Sequence, residues 1–165
     1  MIIIIRCAEV FAVIFSFVII NLQFSLLAPI LPLEMKRCHI SQNFTGLIMG
    51  CMCLGYFICP YYVTETLIPK HGRRKTSLIG FLLMSSALLL YGLGYFVSDS
   101  HKVLFVVYSL ITRLIEGVGC STIYTAMVSL ITYLFPHEIG FAHSARSLGA
   151  YSGISAGVIT GAYLV

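Results

Sequence analysis

Long apolar stretches separated by short polar segments run through the whole chain. Five of them have the length of membrane spans, at residues 7–32, 43–63, 76–97, 103–135 and 147–165. A helix rises about 1.5 Å per residue, so about 20 apolar residues cross a hydrocarbon core of about 30 Å. The strict alternation typical of barrel strands does not occur in these stretches. The pattern therefore predicts an all-α, polytopic transmembrane helical bundle that forms a single domain over residues 1–165.

Composition supports a membrane protein and argues against other classes. Hydrophobic residues make up 59% of the 165 residues, and charged residues make up 10%. A soluble domain of this size could not hide so much apolar surface, so the lipid bilayer is the first expected partner. The net charge of +4 includes no basic patch with interleaved aromatics, which argues against nucleic acid. No water-facing group of catalytic residues indicates an enzyme.

The sequence also predicts neither a cofactor nor a metal. Met49, Cys51, Met52 and Cys53 carry soft sulfur atoms that copper would accept. On a helix, however, Cys51 and Cys53 point about 200° apart, so they cannot share one ligand face. The cysteines within the apolar stretches are expected to act as small buried apolar residues.

Basic residues predict the orientation in the membrane. A cytoplasmic N-terminus places six of them inside and three outside, namely Arg6, Lys70, Arg73, Arg74, Lys75 and Arg146 against Lys36, Arg37 and Lys102. Cytoplasmic loops carry an excess of Lys and Arg, so this orientation is preferred. Four of the inside residues, Lys70, Arg73, Arg74 and Lys75, lie in a predicted cytoplasmic loop at 64–75. Gly72 in this loop suits a helix break. Pro29 and Pro32 are expected to end the first helix near the opposite surface.

Glycines at helical spacing predict close packing between helices. Gly149, Gly153, Gly157 and Gly161 recur every four residues and form a smooth ridge on the last stretch. Small residues at this spacing let two helices approach closely in lipid, where packing supplies the attraction. Gly46 and Gly50 have the same spacing on the second stretch.

Two ionisable residues lie well inside the fourth stretch. Arg113 and Glu116 are three residues apart, so their side chains share one helix face and can pair. A charge at this depth costs about 2.5–3.5 kcal/mol and normally faces a bundle interior or an aqueous cavity. The pair is either a self-neutralising structural contact or a proton-coupling or gating pair. Asn21, Gln23 and Tyr124 are the polar candidates for lining a cavity.

The segments quoted above resemble the N-terminal part of a major facilitator superfamily transporter. The family signature Gly-x-x-x-Asp-Arg/Lys-x-Gly-Arg-Arg/Lys is similar to residues 65–74, which read Glu-Thr-Leu-Ile-Pro-Lys-His-Gly-Arg-Arg. The matching positions are Lys70, Gly72, Arg73 and Arg74. Glu65 replaces the first Gly, and Pro69 replaces the Asp that helps lock the cytoplasmic side in the family.

Two further signatures resemble the same family. Arg113, Gly117 and Gly119 match Arg-x-x-Gln-Gly-x-Gly, with Glu116 in place of Gln. The resemblance associates this Arg with proton coupling. Gly149, Gly153 and Gly157 match part of an antiporter signature, whose Pro and final Gly are replaced by Ile154 and Val158. Residues 27–34 and the Phe-Pro pair at 135–136 resemble the vesicular amine transporter-like branch.

The resemblance implies a fold of about twelve spans, of which five are present. It implies a fragment of a secondary active transporter that moves a small solute across a plasma or internal membrane, with proton coupling by Arg113 and Glu116. The expected partners are then the solute, protons and the missing half or other membrane chains. A non-transporting scaffold subunit of a larger complex and a non-functional truncation are the alternatives. Co-purification of the 18.2 kDa chain in a defined complex would favour the scaffold.

Overall fold

A computed structural model describes the backbone of residues 2–37, 40–98 and 102–163 and the side chains of 7–37, 40–94 and 103–163. All regular structure in these ranges is helical, which confirms the predicted all-α class. The elements are α1 (Ile2–Arg37), α2 (Asn43–Tyr62), a π-helical turn (Val63–Leu67), α3 (Ile68–Ser98), α4 (Lys102–Leu134) and α5 (Ile139–Tyr163). The side chains of Arg6 and Lys102, used above to predict orientation, lie outside the described residues.

Among the described residues, three stretches are long and apolar enough to cross a membrane. They are Cys7–Arg37, Asn43–Gly94 and Val103–Leu134. The second contains all of α2 and most of α3, and its 52 residues exceed what one crossing needs. α5 is not among the three. The predicted fifth span, 147–165, therefore stays a prediction, and its last two residues lie outside the described range.

Helix α1 continues past the two prolines that were expected to end it. Its last residue is Arg37, so Pro29 and Pro32 both lie inside the helix. A proline lacks the N–H that would bond four residues back, but membrane helices tolerate this where neighbouring groups satisfy the backbone. Pro29 also packs against α5, since its Cγ lies 2.8 Å from the position a Cβ on Gly161 would take.

The connection between α2 and α3 is more helical than the predicted loop at 64–75. The π-helical turn follows Tyr62 directly, and the non-helical backbone is confined to Gly72, with φ 77° and ψ 159°. A positive φ of this size favours glycine because it lacks a Cβ. The hydroxyl of Thr76 donates to Gly72 O at 2.9 Å and to Leu67 O at 3.2 Å. It therefore joins the backbone on both sides of the break.

Pro60 leaves one backbone carbonyl of α2 without its helical hydrogen bond, and a neighbouring helix supplies the donor. Because Pro60 has no N–H, the carbonyl of Tyr56 loses its normal partner four residues on. Ser121 on α4 donates its hydroxyl to that carbonyl at 3.1 Å. The serine is fully buried, so this bond satisfies two polar groups away from water. Nothing in the sequence pattern of α4 distinguishes Ser121 from the other hydroxyl-bearing residues of this helix.

Replacing Ser121 by Ala is expected to lower the free energy of unfolding by about 0.6–1.7 kcal/mol, the range for such bonds in membrane proteins. Pro60→Ala restores an N–H that can bond to Tyr56 within the helix, so Ser121→Ala should cost less in that background. A double-mutant cycle on detergent-purified protein, unfolded by heat or SDS, measures the difference. Ser152→Ala is the control, because its hydroxyl donates to a carbonyl of its own helix. Equal costs of Ser121→Ala in both backgrounds would contradict the assignment.

The chain divides into two compact units. The first consists of Met1–Ile30 and Ala126–Val165, and the second consists of Leu31–Thr125. In the first unit α1 and α5 pack through the glycine ridge. A Cβ on Gly149 would lie 2.6 Å from Ile14 O, and one on Gly157 would lie 2.5 Å from Leu22 O. These distances leave no room for a side chain.

The remaining contacts between α1 and α5 follow the same line. A Cβ on Gly153 would clash with Val18 O, and one on Gly161 would lie 3.1 Å from Leu26 O. Ser25 donates its hydroxyl to Ile154 O at 3.0 Å, which adds an interhelical hydrogen bond. Backbone contact at every fourth residue thus fixes how these two helices pair.

The second unit has an apolar core formed by the end of α1 together with α2 and α4. Leu31, Met35, Ile48 and Phe105 are buried against one another. Tyr91 of α3 packs at the edge of this cluster. The core therefore places the aromatic ring of α3 beside the polar face of α4, where the candidate site lies.

Candidate functional site

The polar face of α4 consists of side chains three and four residues apart. Ser109, Arg113, Glu116 and Cys120 lie within an arc of about 60° when successive residues turn by 100°. All four are buried. The spacing therefore concentrates the chemistry of this helix in one narrow stripe.

Arg113 and Glu116 form a buried ion pair in this stripe. Arg113 Nη1 donates to Glu116 Oε2 at 2.9 Å. The two side chains are 0% and 1% exposed. In such surroundings the attraction offsets part of the desolvation cost of both charges, and losing one partner leaves the other charge uncompensated. The structure thus brings together the two residues predicted as a proton-coupling or gating pair; their role stays a prediction.

Tyr91 of α3 completes the surroundings of the guanidinium. The centre of the guanidinium lies 4.8 Å from the centroid of the Tyr91 ring, a cation–π distance. Among the described residues, Arg113 Nε, Arg113 Nη2, Ser109 Oγ and the Tyr91 hydroxyl have no hydrogen-bond partner. The site therefore has unused donors and acceptors beside the ion pair. Sequence reasoning missed Tyr91, since nothing in the pattern of α3 distinguishes it from other aromatic residues.

Two glycines flank the ion pair and hold α4 against its neighbours. Gly117 and Gly119 lie about 80° to either side of the polar stripe. A Cβ on Gly117 would clash with Met52 O of α2, and one on Gly119 would lie 2.8 Å from Met84 N of α3. The polar face therefore lies between two lines of backbone contact.

The partner helices contribute small residues of their own. A Cβ on Gly55 would lie 2.7 Å from Leu114 O, and one on Gly80 would lie 3.0 Å from Gly119 O. These two glycines were not singled out from the sequence. Gly46 and Gly50, which were expected to pack, have no atom within 4 Å of an added Cβ in the described structure. Spacing alone cannot tell a packed glycine from an exposed one.

The three candidate cavity residues lie in different surroundings. Asn21 donates its amide to Phe17 O of its own helix at 2.8 Å, and Gln23 is buried on the same helix. Tyr124 lies on α4 about 16 Å along the axis from Arg113, and its ring meets Tyr56 edge-on with centroids 5.5 Å apart. Tyr124 therefore belongs to the α2–α4 contact.

The signature residues of the α2–α3 connection lie at the surface. Lys70, Gly72 and Arg74 are exposed, and Arg73 is partly exposed. Ser77 donates its hydroxyl to Arg74 O at 2.7 Å, within α3. The basic side chains therefore project from a backbone that local hydrogen bonds hold in shape.

Comparison with known proteins gives one family and one curated relative. The family model of the Major Facilitator Superfamily matches residues 13–165. Multidrug resistance protein 2 of Bacillus subtilis (strain 168) is 28% identical over 141 residues, which cover 82% of this chain and 33% of that protein. The chain thus spans about a third of the length of the curated relative that it matches. No solved structure matches the chain.

Proposed function

The chain belongs to the Major Facilitator Superfamily, and from this premise we propose that it is part of a secondary active transporter that couples solute movement to protons. The observation that carries the proposal is the fully buried Arg113–Glu116 pair in a membrane-length helix. Placing a charge at the membrane centre costs about 2.5–3.5 kcal/mol on insertion scales. A packing role alone could be met by apolar residues at no such cost.

The proposed mechanism uses the low dielectric around the pair. Glu116 stays ionised while Arg113 donates to it. When the protein changes conformation and the two separate, the carboxylate loses its compensating charge and takes up a proton, which makes it neutral. The return of Arg113 expels the proton. In the separated state, Arg113 can donate to other acceptors through Nε and Nη2, which have no hydrogen-bond partner within the part of the chain that the structure describes.

Two resemblances bear on the class of solute. The curated relative is named a multidrug resistance protein, which favours an organic solute such as a drug. The resemblance of residues 27–34 to the vesicular amine branch favours an organic amine, and that branch stays a prediction. The first probes are therefore ethidium, for a drug-like solute, and radiolabelled serotonin, for an organic amine. The cytoplasmic N-terminus and the completion of the carrier by further membrane helices are part of the same proposal.

Glu116→Gln is expected to remove proton coupling while leaving solute exchange intact. Glutamine keeps the shape and accepts a hydrogen bond from Arg113 but cannot carry a proton. We expect uptake driven by an imposed pH gradient to fall at least tenfold. Counterflow exchange at equal pH should stay within about twofold of wild type. The assay uses proteoliposomes that contain the polypeptide encoded by the complete transcript, and it follows ethidium and serotonin separately.

Glu65→Gln is the matched control, because Glu65 is the exposed carboxylate of the α2–α3 connection. It should leave gradient-driven uptake unchanged. If Glu116→Gln is folded, as judged by gel filtration, and keeps full gradient-driven uptake, the proposed coupling is wrong. If wild type moves neither probe in either assay, the proposed solute class is wrong.

A further inference from the structure

The segment Lys70–Lys75 carries four formal positive charges in six residues, with His71 among them and no carboxylate. We call it the basic turn. Lys70, His71 and Lys75 are exposed. The turn contains the helix break at Gly72, and the fully buried Thr76 donates its hydroxyl to carbonyls on both sides of it, Leu67 O and Gly72 O. The charges are therefore displayed by an ordered backbone.

Residues on both sides of the basic turn indicate how deep it lies. Tyr61 and Tyr62 end α2 and are 78% and 56% exposed. Tyrosine is enriched where the hydrocarbon core meets the headgroups. On the other side, Leu78 and Leu82 are exposed apolar residues that begin three residues after Lys75. Exposed aromatic and apolar side chains thus bracket the charges within a few helical turns.

We propose that the basic turn binds the headgroups of anionic phospholipids. Lys and Arg immediately outside a membrane helix attract acidic lipids, and the long side chains reach the phosphate level while their stems cover apolar surface. The turn itself contains no acidic residue, and Pro69 stands where the family signature has Asp. A membrane surface is favoured over a soluble acidic partner because lipid-facing residues adjoin the turn on both sides. The proposal does not depend on transport activity.

The test compares two pairs of substitutions in the full chain. Lys70→Gln with Lys75→Gln removes two charges from the basic turn and leaves Arg73 and Arg74, which make contacts of their own. Lys36→Gln with Arg37→Gln removes two exposed charges at the end of α1. Native mass spectrometry of the detergent-solubilised chain, titrated with equal amounts of phosphatidylserine and phosphatidylcholine, gives the ratio of bound lipids.

We expect wild type to prefer phosphatidylserine and the basic-turn variant to lose about five- to twentyfold of that preference. The α1 variant should keep most of it, and added salt should weaken it in wild type because exposed charges are screened. Lys70→Arg with Lys75→Arg keeps the charge and should keep the preference, which separates charge from misfolding. An unchanged ratio in the basic-turn variant, or equal losses in both Gln variants, would overturn the proposal. Stronger binding of a soluble polyanion such as heparin than of phosphatidylserine would also overturn it.

Discussion

Replacing Arg113 by Met is expected to lower the free energy of unfolding by about 3–5 kcal/mol, because it leaves the carboxylate of Glu116 buried without its cation. Replacing Glu116 by Met should have a similar effect for the opposite charge. The double substitution by Met removes both charges and fills the space with apolar atoms, so it should recover most of the loss. Reversible unfolding in SDS or heat, followed on the purified protein, measures all three variants.

This cycle separates stability from transport. A buried ion pair replaced by apolar residues is often neutral or stabilising by about 1–4 kcal/mol, so the double variant can fold well while lacking a proton carrier. If the double variant is as stable as wild type but loses gradient-driven uptake, the ion pair is needed for transport and not for folding. Single variants that lose less than about 0.5 kcal/mol would contradict the burial and pairing described here.

Gly157→Leu is expected to prevent α1 and α5 from packing. A Cβ at this position would lie 2.5 Å from Leu22 O and 2.7 Å from Ser25 Cβ, and the remaining atoms of leucine would meet backbone that cannot move aside. Overpacking commonly costs about 1–3 kcal/mol, and contact with backbone places this variant at or above that range. Gel filtration and thermal unfolding in detergent report the yield of folded protein and its stability.

Gly50→Leu is the matched control for this prediction. Gly50 also lies inside a membrane-length helix, but no atom is within 4 Å of an added Cβ. Leucine has the better helix propensity, so the change should be neutral or stabilising by up to about 1 kcal/mol. Equal losses for Gly50→Leu and Gly157→Leu would show that helix insertion, rather than the α1–α5 contact, sets the outcome.

The broad fold could be predicted because lipid permits few solutions. Apolar stretches of membrane length must become helices, and all regular structure among the described residues is helical. The ends of helices were harder to predict. Pro29 and Pro32 are signals for a helix end in water. Inside a bundle, however, neighbouring groups can satisfy the carbonyls four residues before each proline, and α1 continues to Arg37. The loop predicted at 64–75 was too long, because charged residues indicate exposure at the membrane surface and do not indicate where a helix ends. The non-helical backbone is confined to Gly72.

The site was predictable only as far as it depends on spacing within one helix. Arg113 and Glu116 are three residues apart on α4, and the structure pairs them. Contacts between helices were not predictable, because they depend on which faces meet. Tyr91 beside Arg113 and Ser121 beside Tyr56 bring together residues that are 22 and 65 positions apart. No local pattern in a single sequence records such pairings.

In the proposed mechanism, Glu116 alternates between a carboxylate paired with Arg113 and a protonated acid. Isotope-edited infrared difference spectroscopy tests it directly, with glutamate labelled in the polypeptide of the complete transcript in liposomes and Glu116→Gln used to assign the band. A transported solute, ethidium or serotonin, is expected to change the protonation of Glu116, so that the carboxylate band and the protonated carboxyl band change in intensity in opposite directions. A carboxylate band that is unchanged by solute and by pH across the range in which transport occurs would contradict it.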